Sequence, residues 1–182
     1  MPETTSSRGE LVADSDTRIR LGPLTQAQPW ITLALRLGIA AVALAAALPK
    51  LADLRQSQRA TAAYEVMPLA VSNIVGVMLP VLELSVGLLL VLGLLTRYSA
   101  AAFGLLMIVF IAGIAQAWAR GLNIDCGCFG GGGELPPGQG TSYGFDIARD
   151  FLFLAGAALV ARWPRSALSL DGALRLTPIE RT

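Results

Sequence analysis

Histidine is absent from this 182-residue chain, and cysteine occurs only twice, at Cys126 and Cys128. Without imidazole there can be no Ser-His-Asp triad, no His-ligated haem and no His-containing zinc site. Two cysteines one residue apart close at most one very small loop, which excludes a disulfide-stapled secreted scaffold. Charge is also scarce. Only 15% of residues are charged, against roughly 25% in an ordinary soluble domain. A net charge of +1 with no basic stripe gives no case for nucleic acid as a partner. Any chemistry must run on two thiols, carboxylates, arginines and a borrowed cofactor.

What the chain has instead is apolar length. A membrane-spanning helix needs about 20 mainly apolar residues, and four stretches meet that need: 30–48, 72–95, 98–119 and 145–163. Arg36 interrupts the first, Pro80 and Glu83 the second, and nothing charged the third. The fourth is weaker, because Asp146, Arg149 and Asp150 crowd its start. Trp163 and the arginines beyond it make an interfacial end, and Ala155, Gly156, Ala157 and Ala158 permit close packing. The expected fold is therefore all-α, an integral membrane four-helix bundle over residues 30–163 embedded in the lipid bilayer. Residues 1–29 are polar and of mixed charge, and read as a disordered or surface-lying tail rather than a signal peptide. Residues 164–182 read as a C-terminal tail.

Four crossings put both termini on one side. That side carries eight arginines, from Arg8 to Arg181, and the other carries five basic residues, from Lys50 to Arg149. The bias places both termini in the cytoplasm and the 120–144 loop on the outer face of the inner membrane. Disulfides can form and persist there.

That loop holds the thiols. Gly127 between them allows a tight turn, and a disulfide across Cys126-Gly127-Cys128 would be small and strained, better suited to exchange than to stapling. Asp125, directly before Cys126, should disfavour its thiolate, whereas Arg120 or Arg149 could fold back to stabilise it. The run Gly130–Gly133 with Pro136 and Pro137 marks an exposed segment that a partner protein could reach. A static disulfide, half of a metal site and incidental cysteines are the competing readings; no metal is expected. Within the spans, Arg36 either snorkels to the cytoplasmic surface or pairs with Glu83. Glu83 should face the bundle interior, where it is protonated, pairs with Arg36 or lines a small-molecule pocket.

Several short motifs resemble the MauE family of methylamine utilisation, within the wider DoxX-like group of four-helix membrane proteins. They are Lys50-Leu51 with Asp53, then Tyr64 and Pro68, Leu79-Pro80 with Glu83, Gly121-Leu122, Asp125-Cys126-Gly127-Cys128-Phe129-Gly130, and Arg149-Asp150. The resemblance implies a membrane-embedded helper in envelope thiol–disulfide chemistry. The family's founding member is associated with maturation of the disulfide-rich small subunit of methylamine dehydrogenase, beside a thioredoxin-like partner. On this reading Cys126 and Cys128 cycle between dithiol and disulfide, supported by Asp125, Gly127, Arg149 and Asp150. Two cysteines offer no second pair to relay electrons, so turnover needs a quinone in the bundle or exchange with another protein. The rival is a non-enzymatic scaffold or transport accessory whose cysteine pair is a structural link.

Overall fold

A computed structural model describes residues 23–136, 138–164, 166 and 168–173. Four long helices dominate it: α1 (Pro23–Ala52), α3 (Leu69–Leu92), α4 (Thr96–Ala119) and α5 (Tyr143–Arg162). Helix α1 packs on α3, α3 on α4, α4 on α5, and α5 on α1, so the four close into a ring of antiparallel neighbours. The shorter elements are α2 (Leu54–Ala62), the two-residue strands β1 (Ile124–Asp125) and β2 (Gly133–Glu134), paired antiparallel, and α6 (Leu170–Ala173).

The expected all-α membrane bundle is what the structure shows. Its interior is built from Ala40, Ala43, Leu90, Ala100, Phe103 and Val160, and the alanines let backbones approach closely. Gly87 shows how closely, since a Cβ there would lie 2.9 Å from Leu44 Cδ2. Large apolar side chains cover the outside as well, including Ile74, Leu82, Leu105 and Leu152. Helices apolar on every side are stable only with apolar surroundings. Helix α1 from Ala27, α3 and α4 are each long and apolar enough to cross a membrane. Helix α5 does not meet that composition, because its first turns carry Asp146, Arg149 and Asp150.

Three expectations change. Helix α1 begins at Pro23, so residues 23–29 belong to a helix and not to a polar tail; proline suits an N-terminal helical position because its missing N–H has no intrahelical partner there. Residues 1–22 lie outside the described residues. The C-terminal segment also returns to the bundle. The Asp171 carboxylate accepts hydrogen bonds from the N–H groups of Leu95 and Thr96, both at 2.7 Å, capping α4. Arg36 is 2% exposed and donates to Ser166 Oγ at 3.0 Å and to the Leu168 carbonyl. It therefore neither reaches open solvent nor pairs with Glu83. The rest of the predicted tail, 165, 167 and 174–182, lies outside the described residues.

Gly93 joins these groups. It caps α3 in the left-handed conformation with φ 64°, and a Cβ there would collide with Arg36 Nη1. Gly93→Ala is expected to combine a strained backbone, about 1–2 kcal/mol by itself, with displacement of the buried guanidinium. The check is the thermal midpoint of the detergent-solubilised protein, which should drop clearly.

Candidate functional site

The thiol loop sits low in the molecule because α1 ends low. Lys50, in the last turn of α1, meets Glu83 of α3 at 2.7 Å. Glu83 is about 21 Å along α3 from its start at Leu69 and about 14 Å from its end, at 1.5 Å per residue. The space above the end of α1 is filled by α2 on one side and the 120–134 segment on the other. Helix α2 starts from an Asp53 cap, whose carboxylate accepts from Gln56 N–H at 3.0 Å. Its Ser57 hydroxyl donates to the Gly76 carbonyl at 2.7 Å, fixing α2 against α3.

The thiols are buried, Cys126 at 8% and Cys128 at 7% exposure, contrary to the expected open segment. Glycine explains the burial. Gly127, Gly130, Gly131, Gly132 and Gly133 all have positive φ, so the chain can coil flat onto its neighbours. A Cβ on Gly132 would lie 2.5 Å from Gly127 Cα, and one on Gly130 would lie 2.6 Å from Pro49 Cβ. Gln56 Nε2 ties the coil down by donating to the Gly132 carbonyl at 2.7 Å. Gly132→Ala is expected to lift the segment off Ala60 and raise maleimide labelling of the native protein; the comparison is labelling against wild type at matched folding.

Two tyrosines hold the inner side of the loop. Tyr64 donates to the Cys126 carbonyl at 2.9 Å, and Tyr143 donates to the Leu122 carbonyl at 2.6 Å while accepting from Ile124 N–H. Burial, followed by the charges of Cys128 and Cys126, pushes the Tyr64 phenol up, so it stays a donor.

The two sulfurs are unequal. Both are free thiols, and Cys128 N–H points at Cys126 Sγ from 3.4 Å. Hydrogen bonding from the Cys128 side chain brings the Cys126 thiol below the ordinary thiol range against the opposing effect of burial, with the Cys128 N–H and Arg149 assisting. Donating to Cys126, together with burial, pushes the Cys128 thiol far up. Both the Cys128 N–H at 3.4 Å and Arg149 Nη2 at 3.9 Å approach Cys126 Sγ, which makes it the better placed of the two sulfurs to carry negative charge.

Of the two candidate arginines, Arg149 folds back and Arg120 does not. Arg149 Nη2 is 3.9 Å from Cys126 Sγ. Its guanidinium lies over the Phe129 ring at 5.0 Å, and is braced by Asp146 and Asp150, each at 3.0 Å. Arg120 instead pairs with Glu65 at 2.8 Å, on the surface. Asp125 is exposed and faces Gly127 N–H at 3.4 Å, and the carboxylate acting against the Cys126 thiolate is Asp146.

Glu83 faces the interior as expected, but its partner is Lys50, whose ammonium also lies 5.1 Å from the centre of the Phe110 ring. Glu83 Oε2 and Asp150 Oδ2 are buried without a hydrogen-bond partner. Both residues line a chamber of about 20 Å³ together with Cys128, Phe110 and Phe129, room for about one water. A second, larger cavity lies between α2, α3 and α4 and touches Lys50, Tyr64 and Cys126. Sequence reasoning missed Lys50 as a site residue because it falls just past the apolar run 30–48. Tyr64 stands in the family motif without a role assigned to it, and Tyr143 left no signal in the spacing.

Residues 28–163 match the family model described as "Methylamine utilisation protein MauE". The chain is also similar to the "Methylamine utilization protein MauE" of Paracoccus denitrificans, with 37% identity over 110 residues. The match covers 60% of this chain and 59% of that relative. No solved structure matches.

Proposed function

Because the chain belongs to the MauE family of methylamine utilisation proteins, we propose that it supports thiol–disulfide exchange in the cell envelope through Cys126 and Cys128. The observation that carries this reading is the asymmetry of the pair. A Cys126 sulfur flanked by the Cys128 donor and Arg149 is suited to carry charge. Cys126 attacks as thiolate in one direction and departs as thiolate in the other. Exchange with a thioredoxin-like protein forms a mixed disulfide. The second thiol displaces that protein, so that one disulfide is made for each one broken and two electrons change hands. Cys128 releases its proton toward the chamber it shares with Asp150 and Glu83.

On this reading α5 is a fourth crossing, both termini are cytoplasmic and the loop faces outward from the inner membrane. To reach a protein thiol, the glycine segment must swing away from Ala60 and Pro49, against which Gly132 and Gly130 pack. Methylamine utilisation is the corresponding physiological setting, through the family and a relative of which this chain spans 59%.

One observation favours a second reading, in which the pair is a structural link: both sulfurs are buried, and buried structural cysteines are inert. Gel-shift alkylation of the pair in intact cells separates the two. Redox cycling predicts a mixture of dithiol and disulfide that shifts when envelope reductants or oxidants are supplied. A pair found permanently oxidised under every condition contradicts it.

A further inference from the structure

The cavity between α2, α3 and α4 has about 130 Å³ of open space, slightly less than the roughly 150 Å³ apolar cavity that holds a benzene ring, and it is open at its mouth. Its walls are largely apolar, with Leu79 and Phe110 among them, and it ends at Lys50 and Cys126. Three lining residues are exposed: Val66 at 51%, Val109 at 57%, and Gly131 on the loop side. Val109 lies midway along α4, a helix long and apolar enough to cross the membrane. The opening at Val109 therefore faces hydrocarbon, and an occupant dissolved in the lipid would enter there.

The inner end selects chemistry. The Lys50 ammonium has three donors and gives one to Glu83 Oε1, which leaves capacity for a carbonyl oxygen entering from the mouth. Cys126 lines the same space beside Gly127 and Gly131, and is itself buried. A lipid-dissolved molecule with a flat ring and a carbonyl would thus rest beside both an ammonium and the sulfur suited to carry charge. The chain has no further cysteine to pass electrons onward.

We propose that this cavity is a site for a membrane quinone, which accepts the two electrons released when Cys126 and Cys128 close to a disulfide. The inference rests on the redox reading of the pair and names its electron acceptor. The balance is complete. An S–S bond forms between Cys126 and Cys128, the two thiol protons and two electrons pass to the quinone, and a quinol leaves by the mouth. Lys50 stabilises negative charge developing on the quinone oxygen.

The test uses the full-length protein in lipid nanodiscs, reduced beforehand, with decylubiquinone and decyl-menaquinone as probes. One quinol should form per disulfide in a single turnover. Val109→Trp and Val66→Trp block the mouth from two sides without touching the cysteines or Lys50, and both positions tolerate bulk because they are exposed. Each should slow oxidation by quinone more than about tenfold, equivalent to about 1.4 kcal/mol, while diamide oxidises all forms at the same rate. If quinone leaves the pair reduced, or oxidises the blocked variants at the wild-type rate, the site assignment is overturned and the redox reading stands. If neither quinone nor diamide can close the pair, both are overturned.

Discussion

Lys50→Met is expected to destabilise the protein by about 3–5 kcal/mol, because it strands Glu83 as an unpaired charge in the bundle. The side chains of the pair are 5% and 3% exposed, and Glu83 Oε2 already lacks a partner. The Phe110 ring beneath the ammonium adds a cation–π contact that the variant also loses. Lys50→Met combined with Glu83→Leu should recover most of the loss, since replacing both partners of a buried ion pair with apolar groups is often neutral. Denaturant or thermal midpoints of the single and double variants in one detergent decide the matter. A double variant no better than the single would show that the two charges act independently.

Cys128→Ala is expected to move the titration of Cys126 upward, because it removes the donor chiefly responsible for lowering it. Cys128→Ser keeps a hydroxyl donor and should move it less. At pH values below the titration, the thiolate fraction falls about tenfold for every pH unit by which the midpoint rises. Iodoacetamide alkylation of Cys126 near neutral pH should therefore slow in the alanine variant, by roughly tenfold where the midpoint rises by one pH unit. Cys126 is lower in the folded protein than in the unfolded chain, whose thiol titrates near ~8.5. Its contribution to stability is complete above that value and is lost as pH falls through the lowered one.

The helices were legible because apolar length is a strong signal. Expected spans 72–95 and 98–119 correspond to Leu69–Leu92 and Thr96–Ala119. Pro80 stays inside α3, as a membrane helix allows when neighbours satisfy the freed groups. Helix α2 is not legible as a span because it is short and polar, although Asp53 with Gln56 three residues later is a helix-start signal. Its presence changes the site. Without α2 the loop would be open, and Lys50 would be a flanking residue on the outer surface. A glycine run suggests looseness, whereas side chains of zero size here permit contact distances that any Cβ would forbid. Arg36 and Glu83 stand out in sequence as costly charges, but their partners come from opposite ends of the bundle. Pairing at that level depends on how far α1 and α3 are offset, and no spacing within either helix encodes that offset. The choice of Arg149 over Arg120 likewise depends on Glu65, which draws Arg120 to the surface.

On the proposed reading, Cys126 and Cys128 are an exchanging pair with Cys126 as the charged sulfur. Its most direct measurement is mixed-disulfide trapping in envelope membranes with a purified, oxidised thioredoxin-fold protein. Mass spectrometry would assign the linked cysteines. The predicted result is a reductant-sensitive adduct on Cys126 in the Cys128→Ser variant, with far less on Cys128 in the Cys126→Ser variant. No adduct on either variant, in protein whose remaining thiol still alkylates, would contradict it.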